Sequence, residues 1–279
     1  MSKPLHSSEN WLRVLQYAVL YTATLVILIP VLNIVLSSFK TNEEINRVFT
    51  LPSSLQFANY ARVFASSYVL MNIINSVAVT GITILISIYL TSMAAYSLAR
   101  RNEPFFHFIY FLFISASMIP IAANLVPLYV LINKLRLVDT RTAVVLISIS
   151  SAIPMGILLY TGFIKGISRS LDESASIDGC GRLNIFLKII FPLLRPVTVT
   201  YAVISSINVW NDFLMPLLFI RSPSKKTITL AVYSFMSEYV NDWGAVYALL
   251  TIAFLLPVAF FIYNQKHFYG GMTDGAVKM

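Results

Sequence analysis

Charge is what this sequence has least of. Aspartate, glutamate, lysine and arginine make up 11% of its 279 residues, where a soluble domain carries about a quarter. The shortage excludes an ordinary solvated surface. With 57% hydrophobic residues and a mean hydropathy of +0.76, it places the chain among membrane proteins. Cysteine is nearly absent: Cys180 stands alone, so no intrachain disulfide can form. His6, His107 and His267 lie far apart and show no metal-ligand spacing, so no metal site is expected. There is no G-x-x-x-x-G-K-[ST] run, so the chain is not expected to cradle ATP itself. Surface carboxylate pairs with a histidine, and a Ser/His/Asp set on one side, are missing as well. A membrane-embedded enzyme is therefore disfavoured and no catalytic residue is assigned. The net charge is +8, but the bases sit at the ends of apolar runs, which argues against nucleic acid as a partner.

What is present is a series of long apolar runs. Charge-free stretches cover Val14 to Phe39, Val63 to Ala99, Pro104 to Asn133, Thr142 to Ile164 and Trp243 to Gln265. A further stretch, Pro196 to Ile220, is interrupted only by Asp212. About 20 helical residues cross the hydrocarbon of a bilayer. Six spans are expected, at about 14–38, 70–98, 105–132, 142–164, 197–220 and 244–264. The first run is too long for a signal-peptide core, and no Ala-x-Ala follows it, so it is read as a retained span. "NYARVFASSYVLMN" reads as an external helix leading into the second span. Backbone groups must be paired inside lipid, and the alternation of a β-barrel is missing. The expectation is an all-α polytopic membrane protein, a single membrane-spanning domain over 1–279. Pro30, Pro120, Pro127, Pro154, Pro216 and Pro257 fall within or near the spans, where neighbours can re-pair freed carbonyls.

Six spans put both termini on one side. With the termini in the cytoplasm, that side holds eleven of the 20 bases, among them Arg100 and Arg101 directly after a span. The bias is weak but follows the positive-inside rule.

One stretch breaks the apolar monotony. "LDESASIDGCGRLNIFLKIIFPLLRP", Leu171 to Pro196, lies between spans four and five. Ser170 and Glu173 have capping-box spacing, and Asp172 and Glu173 suit the positive end of a helix dipole. A short helix is expected to run to about Asp178, where Gly179 and Gly181 end it. "RLNIFLKIIF" resumes a helix, and Pro192 and Pro196 lead into span five. The product is a helix-turn-helix at the membrane surface over 168–196, readable from local features either as an amphipathic loop or as a knob for another protein's cleft.

Glu173, Ser174, Ala175, Gly179, Ile189, Phe191 and Pro192 together resemble the EAA loop of ABC importer permeases. That pattern is Glu-Ala-Ala, three residues, Gly, nine residues, Ile, one residue, Leu-Pro. The spacing matches throughout; Ser174 replaces an alanine and Phe191 a leucine. "SSFKTNEEI", "LPSSLQFANYARVF", "AAYSLAR", "WNDFLMPLLFI" and "GGMTDGAVK" resemble the smaller permease of the maltose/multiple-sugar branch, with the raffinose/multiple-sugar permeases nearest. The resemblance implies a binding-protein-dependent sugar importer in the cytoplasmic membrane. It implies a second related permease as partner, an ATPase dimer carrying ATP and Mg, an extracytoplasmic sugar-binding protein, a sugar substrate and surrounding lipid. The chain itself would bind no cofactor. Glu173, Ser174, Ala175, Asp178 and Gly179 would form the ATPase-coupling contact. The C-terminal residues Gly275, Ala276, Val277 and Lys278 would also reach the ATPases, against the plain reading of "TDGAVKM" as a polar, frayed terminus.

Asp212 is the only acid inside an expected span. Such a charge costs about 2.5–3.5 kcal/mol on insertion scales, so it is expected to face protein or water. With Asn208, Trp210 and Asn211 it offers the hydrogen-bonding groups and aromatic face a sugar needs. A polar patch locking span five to a neighbour is the alternative. The loop Arg221 to Gly244 is expected outside. The resemblance makes Lys225, Lys226, Tyr233, Tyr239 and Trp243 binding-protein contacts; packing on the chain's own spans is the other reading. Rival cargoes are a polyol, a glycerol phosphate or a peptide. An ion-coupled secondary transporter is a more distant rival, since it needs intramembrane carboxylates or histidines and only Asp212 qualifies.

Overall fold

In the computed structural model of the chain, residues 6–238 and 242–276 are described. Among them the structure is helical, without a strand. In chain order the helices are α1 (His6–Ser37), α2 (Asn42–Ile45), α3 (Ala58–Ala65), α4 (Val69–Arg100), α5 (Pro104–Ala116), α6 (Leu125–Lys134), α7 (Arg141–Lys165) and α8 (Ser170–Ile177). They continue as α9 (Arg182–Leu193), α10 (Arg195–Asn211), α11 (Leu214–Phe219), α12 (Ile228–Glu238) and α13 (Trp243–Ala276). Four segments are long and apolar enough to cross a membrane: Arg13–Ser37, Val69–Arg100, Arg141–Lys165 and Trp243–Tyr263. Their ends fall within a few residues of the charges that bound them in the sequence. "NYARVFASSYVLMN" is indeed split, with α3 ending at Ala65 before α4 begins.

Two expected spans are not continuous helices. The stretch 105–132 is α5, a 3₁₀ turn at Ile121–Asn124, and α6. Pro120 has no N–H to bond the Ala116 carbonyl, so the α-helix stops there. Ser115 and Ser117 turn their hydroxyls to the carbonyls of Leu112 and Ile114 in the last turn. The stretch 197–220 breaks at Asp212, whose backbone is extended at φ −64° and ψ 118°. A sharper break precedes it: α9 and α10 meet at 76°. The turn Phe186–Ile190 is widened to a π-helix just before Pro192, another position without an N–H.

The described helices group into two compact bodies, one of residues 6–67, 232–238 and 242–254, the other of residues 68–231 and 255–276. In the first, Asn59 on α3 donates to the carbonyls of Ser38 and Lys40 at 2.8 and 3.0 Å. Phe39 packs edge-on to Phe57 and tilted to Tyr60. Gly244 lies so close to Asn59 that a Cβ there would sit 2.7 Å from its amide oxygen. Arg62 reaches Asp242 at 2.7 Å, and Asp242 also accepts the Ala245 N–H.

The second body is built on α4 against α7. Their shared face is made of small residues: Ser87, Thr91, Ser92, Ala95 and Ala99 are buried on α4. Gly156 on α7 sits where a Cβ would meet the Thr91 side chain at 2.7 Å. Without a hydrophobic drive in lipid, such close backbone approach supplies the packing. α10 crosses both helices. Tyr160 on α7 donates to Thr198 at 3.1 Å, and Tyr201 on α10 donates to the Ala152 carbonyl at 3.3 Å.

Candidate coupling helix and pathway cavity

The candidate coupling site begins with a helix end. α8 closes through the two hydrogen bonds of a Schellman motif: Cys180 N–H to the Ala175 carbonyl at 3.0 Å and Gly179 N–H to the Ser176 carbonyl at 3.1 Å. Gly179 takes φ +82°, the left-handed conformation such an end requires and glycine adopts without strain. The expected capping box is absent. The helix starts at Ser170 itself, with Arg169 at the cap and no side-chain cap bond. Glu173 N–H bonds the Arg169 carbonyl, and the Ser170 hydroxyl instead pairs with Ser168.

One face of α8 is fastened to the body. Ala175 is 5% exposed and belongs to the cluster of Ala95, Ile164, Ile185 and Phe186. Its part is to anchor α8, since its side chain is covered by the chain's own residues. Asp172 meets the end of α4, where Tyr96 donates to Oδ1 at 2.5 Å. Arg100 Nη2 lies 2.8 Å from Oδ2, an ion pair whose angle falls short of a hydrogen bond. Arg100 also donates to the carbonyls of Ile167 and Ile164 at 3.0 and 3.3 Å, tying α4 to the end of α7. The other face is bare. Ile177 is 86% exposed, and Glu173, Ser174, Asp178 and Gly179 are exposed with it. A Cβ added at Gly179 would meet nothing within 4 Å. Sequence reading missed the Tyr96–Arg100–Asp172 clamp; its signal was a tyrosine and an arginine one helical turn apart at the end of an apolar run.

Asp212 and Asn208 come together. Both line a cavity of about 370 Å³ between α7, α10 and α11, with Ser148, Ser151 and Ser205 supplying hydroxyls and Met155 and Val209 apolar walls. Asp212 Oδ1 accepts the Met215 N–H at 3.2 Å, so the acid also satisfies a free amide in the first turn of α11. Trp210 is directed elsewhere, lining an apolar groove with Gly81, Ile207 and Phe260, and Asn211 is exposed. The expected four-residue cluster is thus a pair in the cavity and two residues outside it.

The loop after α11 is held by Asp139, which no sequence argument singled out. Asp139 has φ +59°. Its Oδ1 accepts the amides of Arg221 and Ser222, both at 2.9 Å, and its Oδ2 accepts the Ser222 hydroxyl at 2.5 Å and Lys225 Nζ at 2.9 Å. These donors, the Ser222 hydroxyl first, hold the carboxyl well below the usual carboxylate range. Beside it, Asn75 donates to the carbonyls of Ser224 and Lys226 at 2.9 and 3.0 Å and accepts from Arg141. Lys225, expected to reach outward, is therefore engaged within the chain; Lys226 also has interactions within it. Tyr233 and Trp243 are exposed at 52% and 41%. Tyr239 lies outside the described residues. The C-terminal stretch read as a polar tail continues α13 as far as Ala276, so Gly275 and Ala276 are helical; Val277 and Lys278 are outside the described residues.

Four helices long and apolar enough to cross a membrane define a multi-pass helical membrane protein. The chain belongs to the family of binding-protein-dependent transport system inner membrane components, which matches residues 84–272. It is 34% identical to the melibiose/raffinose/stachyose import permease protein MelC of Bacillus subtilis over 90% of this chain and 91% of that one. It is 34% identical to the multiple sugar-binding transport system permease protein MsmG of Streptococcus mutans, over 94% and 96%. Its fold matches a chain of a bacterial ABC transporter that imports the acidic polysaccharide alginate, with a TM-score of 0.78 and 21% identity over 96% of this chain and all of that one.

Proposed function

We propose that this chain is the smaller, six-span permease of a binding-protein-dependent importer that moves a sugar, specifically an oligosaccharide, into the cell. The observation that carries the mechanism is α8. It is fixed to α4 and α7 on one side through Asp172, Arg100 and Ala175, and open on the other at Ile177, Asp178 and Gly179. A push on the open face is passed to α4 and α7 and, through α9, to α10; α7 and α10 line the Asn208–Asp212 cavity. Such an element couples two sites when each biases the same two arrangements.

The source of the push is an ATPase dimer binding ATP and Mg, with Glu173, Ser174, Asp178 and Gly179 meeting its cleft and the end of α13 beside it. This chain is the translocation subunit and hydrolyses nothing. A second related permease completes the pathway, and an extracytoplasmic sugar-binding protein delivers the substrate to the opposite side, where Lys226, Tyr233 and Trp243 are its contacts. The protein sits in the cytoplasmic membrane with both termini in the cytoplasm. The sugar assignment is supported by the relatives, whose names specify melibiose, raffinose, stachyose and multiple sugars, and by a cavity that pairs hydroxyls and an amide with apolar walls. The test is uptake of labelled oligosaccharides by cells with and without the gene, together with the polypeptides that co-purify with the chain. Sugar uptake lost with the gene, and a P-loop ATPase and a second permease in the purified complex, are expected. Uptake that survives ATP depletion but collapses with an ionophore overturns the reading.

A further inference from the structure

Four arginines gather where α4 ends. Arg100 and Arg101 close α4, Arg169 precedes α8, and Arg182 opens α9; with Asn102 and Glu103 they line an open cleft of about 640 Å³. Three have contacts within the chain. The Arg101 guanidinium carbon lies 4.5 Å over the Phe106 ring, and Arg169 donates to Asn102 at 3.0 Å. Arg100 is the deepest, and its buried Nε has no hydrogen-bond partner among the described residues. On the rim, four arginines face one carboxylate, Glu103; a positive charge is still left over when Asp172 and Glu173 of the adjoining cleft are counted.

The position of this surplus matters as much as its sign. It follows directly on the 32 residues of α4, an apolar helix long enough to cross the hydrocarbon and carry its end to the headgroups. Beside it, Phe105 and Phe108 stand exposed one turn apart along α5, an apolar strip leading away from the arginines. An anion with an apolar tail satisfies both halves. Guanidinium forks match phosphate oxygens in pairs, and basic pockets between spans hold anionic headgroups.

We propose that this rim binds a phosphate-bearing anion, the headgroup of an anionic phospholipid. The site depends on the membrane placement of α4 and not on which solute is transported. The test is native mass spectrometry of the full chain, with the subunits that co-purify, after exposure to phosphatidylglycerol or phosphatidylcholine vesicles. Inorganic phosphate serves as competitor. Phosphatidylglycerol is expected to be retained and phosphatidylcholine not. Each surface base is worth about fivefold in affinity, so Arg101→Gln with Arg182→Gln should weaken retention roughly 25-fold, while the double lysine variant keeps most of it. Retention unaffected by millimolar phosphate assigns the site to lipid; displacement by phosphate assigns it to a soluble phosphate. Equal retention of both lipids by the unaltered chain, or equal phosphatidylglycerol retention by all three proteins, overturns the proposal. So does a glutamine variant that keeps its lipid but loses its co-purifying subunits, which would make the rim a protein contact.

Discussion

The two ends of α4 solve opposite problems. Asn75 near its start and Arg100 at its end are 25 residues apart, about 38 Å along a helix. At the Asn75 end the carboxylate of Asp139 and the amide of Asn75 find their partners inside the chain. Asp139 takes four donors from Arg221, Ser222 and Lys225, and Asn75 bridges Arg141 to the carbonyls of Ser224 and Lys226. At the Arg100 end an ion pair to Asp172, the Tyr96 hydroxyl and the burial of Ala175 secure the inner face of α8, while its outer face leaves Ile177 bare. The first end is a frame that needs no partner to be ordered. The second is, on the proposed function, a lever: fastened on its inner face and open on its outer one.

The largest expected effect comes from damaging the lever at its tip. Gly179→Asp should abolish sugar uptake and strip the co-purified ATPase, while Ser174→Ala stays near the unaltered level. The aspartate costs roughly 1–2 kcal/mol of backbone strain at positive φ, and its side chain, with nothing of its own chain nearby, projects into the partner's space. The variant should still insert in the membrane and pair with the second permease. Unaltered uptake and ATPase retention in Gly179→Asp would reduce α8 to a surface loop. Next in size is the clamp. Removing one partner of a mostly buried ion pair costs about 3 kcal/mol, and the Arg100 and Asp172 side chains are 12% and 17% exposed. Arg100→Leu should lower both the melting temperature in detergent and the uptake. The double variant with Asp172→Leu should recover part of the melting temperature but not the uptake. Additive losses would show that the two side chains act separately.

The end of α8 was legible from residues because its chemistry is local. A glycine placed where α8 must end needs positive φ, and the structure supplies it. Span limits were legible because charges cannot follow an apolar helix into hydrocarbon. What escaped depends on partners distant in sequence. Asp139 in "LVDTR" looks like any turn acid until Ser222 and Lys225, more than 80 residues on, close around it. The breaks at Pro120 and Asp212 escaped because membrane helices often carry a proline or a lone acid without stopping. Ser170 misled by one residue: the helix begins a position earlier than a capping box allows, which takes its hydroxyl out of reach of Glu173.

The frame should be less sensitive than the lever, and sensitive in a different way. Asp139→Ala frees the loop 221–226, so its amides should exchange with deuterium faster while those of α8 do not change. Uptake should fall severalfold through weaker capture of the loaded binding protein, with ATPase association intact. The pH dependence has a definite sign. Asp139 titrates below its unfolded value, so its contribution is fully present above the ordinary carboxylate pKa of about 4. It is lost only as pH falls below that value towards the lowered one. Loop exchange should therefore be flat between pH 8 and pH 5 after correction for intrinsic rates. Protection lost near pH 6 would mean that another group holds the loop.

The smallest effect is expected at Asp212, where the comparison can be sharpened inside the pathway. Its carboxylate lines the cavity with Asn208 and also accepts the Met215 N–H at the start of α11. Asparagine caps a helix about as well as aspartate, while alanine loses about 1 kcal/mol, a factor of about five. Asp212→Asn should therefore keep most of the uptake, because a neutral sugar needs a hydrogen-bonding wall and not a charge. Asp212→Ala should cut uptake about fivefold with the subunit still present in the membrane at normal amounts. The discriminating measurement is uptake at saturating and at limiting sugar for both variants, alongside the amount of subunit in the membrane. Loss of subunit in Asp212→Ala would make the acid a lock between helices. Loss of uptake in Asp212→Asn with normal assembly would mean that the charge itself is used in passage, and that the cavity does more than offer a neutral, hydrogen-bonding wall.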